Sequence, residues 1–288
     1  MKTSKTFAAG ALVLAALSLA GCAAAPAAPA PAEAAASSIR DFGPMDPACI
    51  AAGEPGTAQA LTSAVIPGAH GTDALPGQAR TAAVLGAGAD LYVQTEPGQF
   101  AATGFQLPAA MPWAAEVAVP AVVTSTHSCG LVEVLVPSQS DDASVRSASA
   151  WVPSEQVAPV SEWEVPRIIS VDISDASLSV TEGDAELLAI DGLVTGGDVA
   201  TPTGLGYVVS EYEDAEQQPW TGGESITLTS LHADTSFSGN SGEIGVHWMD
   251  PAADDGSGSN GCVRVGDLDQ VRALESVVSP GDIVIITE

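Results

Sequence analysis

Apolar residues recur at a spacing of two over most of this chain, in short runs closed by Gly, Pro, Ser and Asp. "RIISVDISDASLSV" sets Ile169, Val171 and Ile173 against polar neighbours and resumes with Leu178 and Val180. "AELLAIDGLVTG", "GYVVSEY", "ESITLTSL", "EIGVHW" and the closing "DIVIITE" are runs of the same kind. Such alternation puts one side of a strand in a core and the other towards polar surroundings. The block from Arg167 is therefore expected to be strand-rich, with a hairpin at its start and the "EGD" of Glu182 to Asp184 at the next turn. One segment breaks the pattern. "DLDQVRALESVV" repeats Leu268, Val271, Leu274 and Val278 at helical spacing, with Asp267 as N-cap, Gln270 three residues on, and "SPG" as the stop. Upstream, "DLYVQT", "EVAVPAVVTS", "LVEVLVP" and "ASAWVPSEQV" predict a smaller all-β unit over residues 84–160, sandwich or barrel, joined by "APVSEWEVP" as a linker. Residues 41–80 carry no period and read as loops, or as a short decorated start to a domain. The expected fold is mainly β with one principal helix.

The chain opens differently. "MKTSK" holds both lysines, and "FAAGALVLAALSLAG" follows as an apolar run too short to span a bilayer, which takes about 20 residues. Residues 1–21 read as an export signal. The run ends "LAGC", which resembles the lipobox of bacterial lipoproteins and implies cleavage before Cys22 and acylation of its thiol; the other reading is an ordinary secretion signal. "AAAPAAPAPAEAAASS" has neither large apolar residues nor period, so residues 22–80 are expected to hold a flexible Ala/Pro-rich tether and loops. The ending "AWVPSEQV" is similar to the "GWV…V" ending of bacterial SH3-like modules, which extends the expectation for residues 84–160 to an SH3-like fold.

Without Lys2 and Lys5 the body sets 36 acidic residues against six arginines, a formal charge of −30. Affinity for phosphates rests on Lys and Arg, so nucleic acid is excluded as a partner. Docking on anionic lipid headgroups is excluded for the same reason, which leaves a lipid chain as the means of membrane attachment. Solubility accounts for the charge without any chemistry.

Four cysteines are present, Cys22, Cys49, Cys129 and Cys262. With Cys22 acylated, three remain in an oxidising space, and three pairings are open. Cys49 with Cys129 is favoured because Cys262 has another use. A thiol is a nucleophile only as thiolate, and a histidine or a helix N-terminus lowers its pKa from about 8.5 into the range of roughly 3.5–7.5. Cys262 stands shortly before the helix that starts near Asp267, and Gly261 gives its backbone room. Glycine-flanked amides are also the usual material of an oxyanion hole. Fifteen residues upstream is His247 in "GEIGVHWMD". In a strand Ile244, Val246 and Trp248 take one face and His247 the other, so His247 is not part of the apolar stripe, and a Cys–His pair on adjoining strand and loop is what nucleophilic acyl transfer needs.

The order of these residues adds more. His247, then Ser259, Gly261, Cys262 and Arg264 form "H…SxGCxR", which resembles the signature of L,D-transpeptidases of the YkuD type, enzymes that crosslink bacterial peptidoglycan. The likeness runs over residues 166–288. "ISVDISDASLSVTEGD" is similar to the family's opening hairpin, "TGGDVATPTGLGYV" to its "TG…TPTG.F" segment at Thr195, Gly196, Thr201, Pro202, Thr203 and Gly204, and "VVSPGDIVII" to its closing strand. The resemblance implies a β-sandwich catalytic domain in which Cys262 attacks the carbonyl that joins the L-centre of a diamino acid to a terminal D-Ala in a tetrapeptide stem. D-Ala leaves, a thioester forms, and an amine of a neighbouring stem takes the acyl group. His247 would be the base, oriented by the main-chain carbonyl of Trp248, and the amides of Gly261 and Cys262 would hold the oxyanion. Arg264 would bind a substrate carboxylate or, the favoured role, anchor an internal ion pair. Ser259 would shape the turn, and Tyr207 would sit in the core rather than line the groove.

Two positions depart from the family. Trp248 stands where Gly or Ser is common, and its indole would narrow the site; Asn260 replaces the usual His or Lys before "GC" and bears on how the oxyanion or donor stem is held. His232 in "TSLHADTSF" is a candidate second imidazole in the pocket, or a polar residue at a strand end. His70 and His127 lie outside the block and are given no role. No metal or other cofactor is expected, because thiolate chemistry needs none and no ligand spacing is present; "TGLG" lacks the Lys and helix of a phosphate loop. The resemblance implies peptidoglycan stem peptides as partners, carbapenem-type β-lactams as acylators of Cys262, and a place on the outer face of the cell membrane. The rival readings are a carboxypeptidase, with water in place of the amine, and a non-catalytic wall-binding lipoprotein.

Overall fold

The computed structural model describes residues 43–60, 64–71, 80–111, 114–137, 139–140, 148–162, 167–213, 219–233, 242–250, 256 and 258–288. The signal segment, Cys22 and the Ala/Pro-rich stretch after it lie outside the described residues.

From Arg167 the period-two text forms one eight-stranded sheet. Its strands in spatial order are Ala185–Asp191, Ser177–Glu182, Arg167–Asp172, Ile283–Thr287, Gly204–Tyr212, Ile226–His232, Glu243–Trp248 and Val263–Val265. The opening hairpin pairs Arg167 with Glu182 through to Asp172 with Ser177, and its turn sets Ala176 at φ +51°. The "EGD" turn follows, with Gly183 at φ +59°, a left-handed conformation that glycine adopts without steric cost. The closing strand runs parallel beside Arg167–Asp172, so the end of the chain sits in the middle of the sheet.

Each strand divides its side chains between two cores. Leu268–Val277 is the helix; the Asp267 side chain caps it by accepting from the Asp269 amide at 2.8 Å. It lays Val271, Leu274 and Val278 on a face formed by Ile169, Val171, Val180, Val208, Ile244, Val246, Val263 and Val265. Leu205, Tyr207, Val209, Ile226, Leu228 and Ile283 turn the other way, into a core built largely by the N-terminal strands. Burial on both faces explains why "GYVVS" reads as an unbroken apolar run.

The strand-rich region before Arg167 forms a ten-stranded sheet. It reaches further than the sequence indicates in both directions. Residues 158–162, expected as linker, belong to the strand Val157–Glu162, which pairs with Arg80–Val84. Residues 50–71, expected as loops, add the short strands Ile50–Ala52 and Ala58–Gln59 beside Gln99–Pro108, and His70–Gly71 beside Ala148–Pro153. Runs of two or three residues have no period to read, and they are held from outside. A disulfide joins Cys49 to Cys129, and the Asp46 amide donates to the Cys129 carbonyl at 2.9 Å. Phe100, His127 and Trp151 meet edge to face beside that link.

The two sheets are joined by more than the chain. Gln99–Pro108 and its neighbours share one continuous apolar core with Gly204–Tyr212 and Ile226–His232, and Gly281, at φ +96°, lies so close to Thr81 that a Cβ there would stand 2.6 Å from its hydroxyl. Burying one large apolar side chain contributes about 1.5–3 kcal/mol, and six of them cross this boundary. Residues 167–288 expressed alone should therefore lose stability relative to the full chain, binding a hydrophobic dye and melting at least 10 °C lower. Calorimetry of the two proteins checks this, and equal melting temperatures would show that the shared core has no energetic weight.

Candidate active site

Val263–Val265 runs parallel to Glu243–Trp248, with Val246 opposite Val263, His247 opposite Arg264, and Trp248 opposite Val265. Ile244, Val246, Val263 and Val265 all enter the helix-side core. Side chains alternate along a strand, so His247 and Arg264 face the other way together. One step back in the register sets Cys262 opposite Gly245, on that same face. The sulfur confirms the placement: Sγ lies 4.0 Å from the Glu243 carbonyl, to which the thiol donates, and the Gly245 amide bonds to it. Cys262 and His247 thus occupy one face of two adjoining strands.

The loop that delivers Cys262 is clasped by the "TGGDVATPTG" segment. Val194 and Arg264 exchange backbone hydrogen bonds at 3.0 and 2.9 Å, the Ser259 amide donates to the Gly196 carbonyl, and Val199 bridges to Asn260. The Thr201 hydroxyl accepts from the Gly196 amide at 2.9 Å and so holds the clasp in shape. Gly261 takes φ +97°, and a Cβ there would stand 3.0 Å from Ile244 Cδ1 and 3.2 Å from Ala233 Cβ. Only glycine fits both the backbone and the space.

His247 is 2% exposed. Its Nδ1 lies 2.8 Å from the Trp248 carbonyl. A carbonyl only accepts, so Nδ1 carries the proton and Nε2 keeps its lone pair. Burial pushes the imidazole down to about 4, with the Arg264 charge adding to the fall and the Trp248 bond opposing it. Burial likewise pushes the Cys262 thiol above its ordinary value; the Glu243 charge adds to the rise, against the lowering from the Gly245 amide and Arg264. The sequence-based expectation of a thiol lowered by a histidine and a helix N-terminus is corrected here. The strand Val263–Val265 separates Cys262 from the helix, and desolvation of the sulfur outweighs the favourable groups. The resting pair is a neutral thiol and a neutral base.

The other sequence candidates fall as follows. The Trp248 indole packs with the helix-side core, and Gly222 lies under it, so the indole does not narrow the His247 face. Ser259 is buried, and its hydroxyl has no partner among the described residues. Asn260 is exposed beside the clasp. Tyr207 is fully buried in the shared core. His232 pairs with Glu243, whose carbonyl the Cys262 thiol meets, and it faces away from Leu231 and Ala233 in the helix-side core. It therefore stands on the Cys262 face; burial pushes it down to about 4, and its Nδ1 has no partner among the described residues.

One neighbour of the base was not read from the sequence. The Trp220 ring covers the His247 ring, with centroids 4.7 Å apart and planes at 60°. "QQPWTGG" is all turn signal, and nothing in its pattern says that the turn folds back over the strand Glu243–Trp248.

Residues 166–286 match the family model of the L,D-transpeptidase catalytic domain, YkuD. Among solved structures, the chain is similar to an L,D-transpeptidase from Mycobacterium smegmatis at 16% identity and TM-score 0.32, over 58% of this chain and 93% of that one. It is similar to a mutant of the Enterococcus faecium L,D-transpeptidase at 20% identity and TM-score 0.30, over 42% of this chain and 50% of that one. A third likeness is to the helical cell shape determining protein Pgp2 from Campylobacter jejuni, at 17% identity and TM-score 0.34, over 43% of this chain and 48% of that one. The chain spans about half the length of the latter two structures. No curated protein matches it.

Two measurements test the neutral pair. Alkylation of Cys262 by iodoacetamide should stay slow through neutrality and rise above the ordinary thiol range; a rate already at its plateau by pH 6 would indicate a thiolate–imidazolium pair instead. Stability should carry the matching signature. His247 and His232 bind protons near pH 4 in the folded chain and near 6.5 when unfolded. Their contribution is therefore complete above about 6.5 and is lost as the pH falls towards 4, by about 1.4 kcal/mol per unit for each imidazole. Urea unfolding of wild type and of the His232→Gln/His247→Gln variant should diverge over that window.

Proposed function

With residues 166–286 forming an L,D-transpeptidase catalytic domain, we propose that this chain crosslinks peptidoglycan stem peptides through a Cys262 thioester. The observation that carries the reading is the shared face of Cys262 and His247, with Nδ1 committed to the Trp248 carbonyl and Nε2 left as the acceptor of a proton. In the first step Sγ attacks the carbonyl before the terminal D-Ala of a tetrapeptide stem while its proton passes to Nε2. The Gly261 and Cys262 amides hold the oxyanion. The C–N bond then breaks, the imidazolium gives its proton to the departing amine of D-Ala, and the thioester remains. In the second step an amine of a neighbouring stem attacks the thioester, Nε2 takes its proton, and the sulfur leaves and recovers a proton from the imidazolium.

A neutral resting pair suits this sequence. The thiol is not spent on adventitious alkylation or oxidation, and proton transfer coincides with attack. The left-handed Gly261 frees its own amide and the next from the demands of a regular strand, as an oxyanion site requires. Arg264, on the same face, serves as the internal anchor of the site, and Ser259 and Asn260 shape the loop. His232 adds a second neutral imidazole as substrate support. Acylation of Cys22 would fix the protein to the outer face of the cell membrane, with the Ala/Pro-rich segment as its tether and the wall within reach.

Incubation with a disaccharide-tetrapeptide tests the reaction. The expected products are a crosslinked dimer and free D-Ala. Tripeptide and D-Ala alone would assign hydrolysis instead, and unchanged substrate that nonetheless binds would assign a wall-binding role. Cys262→Ala should show no turnover, and His247→Ala should lose about 10²–10⁴-fold. A carbapenem should add its mass to Cys262 in wild type and nothing in Cys262→Ala.

A further inference from the structure

His247 is enclosed by parts of the chain remote in sequence. Across the ladder Ile226 lies opposite it on one flank and Arg264 on the other. Over the ring lies Trp220, 4.7 Å away between centroids. Trp220 belongs to the short turn Pro219–Thr221, and that turn is pinned to the end of the His247 strand at two points. The Trp220 carbonyl accepts from the Asp250 amide at 3.0 Å. Gly222, at φ +65°, sits so close to the Trp248 ring that a Cβ there would stand 2.9 Å from it. Away from His247, Trp220 leans on the apolar core that the two sheets share. The residue is itself only half-buried, so its ring serves as a cover over the imidazole and not as filling for the core.

We propose that Trp220 is a positioning residue for the catalytic base, closing the solvent side of the His247 ring and holding it in the orientation in which Nδ1 meets the Trp248 carbonyl. The role rests on the assignment of His247 as base. An imidazole held at one nitrogen only can still rock about that bond; a ring packed against it at 60° removes the freedom and keeps Nε2 on the face it shares with Cys262. The same cover keeps water from the ring. The charged and titratable groups facing His247 among the described residues are Arg264, Cys262, Glu243 and His232, with Asp250 beside the turn. Trp220 carries no charge, so replacing it alters cover and packing and leaves every one of those charges in place. The tie to the shared core also gives the N-terminal strands a part in holding the base.

The test uses the full chain. Acylation of Cys262 by a carbapenem is followed from pH 4.5 to 9 in wild type and in Trp220→Ala, Trp220→Leu and Trp220→Phe. With the cover lost, the acid limb should move from about 4 in wild type towards the ordinary imidazole value near 6.5. Acylation at pH 5.5 then falls about tenfold in Trp220→Ala, while the loss at pH 8 stays within about threefold. Trp220→Leu keeps apolar bulk without the ring and should move the limb the same way, so the test survives if the alanine variant fails to fold. Trp220→Phe should restore the wild-type profile. An acid limb unmoved in both Trp220→Ala and Trp220→Leu, or a loss equal at every pH, would overturn the assignment. If wild type itself is not acylated, the enzymatic reading fails, and the His247 pKa in the same variants, read by NMR titration, still decides the role of Trp220.

Discussion

The site depends on a parallel pairing only three residues long. Val263–Val265 adds itself to the edge of Glu243–Trp248, and its two valines enter the helix-side core opposite Val246 and Trp248. That packing fixes the register, because a slip of one residue would drive Arg264 into an apolar core. Everything on the other face follows from the register: His247 lies level with Arg264, and Cys262 with Gly245. The clasp from Val194 to Thr201 secures the same short strand from its open side. The placement of Cys262 and His247 is thus set by valines whose side chains point to the opposite face.

Burial then decides the chemistry. Both titrating groups are moved towards their neutral forms by the same cause, loss of water around them. An ion pair at rest would require that cost to be met by the Gly245 amide and by the carbonyl behind the imidazole. The Arg264 charge favours the thiolate and opposes the imidazolium, so it does not favour the pair as a whole. An imidazole that is neutral over the physiological range and a thiol held towards its neutral form are the outcome. The N-terminal strands contribute to this environment, since the core they complete runs beneath Ile226 and Trp220, the two apolar neighbours of His247.

Much of the block from Arg167 was legible because its strands keep a strict period of two and its helix a period near 3.6. Ile169, Val171, Leu178 and Val180 fall where alternation puts them, and Asp267 caps the helix. The opposite facing of His247 to Ile244 and Val246 was readable for the same reason. The strands between Ile50 and Gly71 were not, because runs of two or three residues carry no period, and what orders them is a disulfide and the edge of a sheet distant in sequence. The strand Val157–Glu162 was hidden by Pro159 and by the polar Ser161 and Glu162. Trp220 was missed because its contact is made by a turn folding back, which no local pattern encodes. The charge state of Cys262 was misread for a different reason. Sequence shows which groups stand near a thiol, but not how much water the fold removes from it.

The central claim is that His247 rests as a neutral ring with its proton on Nδ1 and a bare Nε2, on the same face as a protonated Cys262 thiol. Nitrogen-15 shifts of the imidazole in the resting wild-type protein at pH 7 report this directly. The account requires one protonated and one bare nitrogen, with the protonated one being Nδ1. Two protonated nitrogens, or a proton on Nε2, would contradict it.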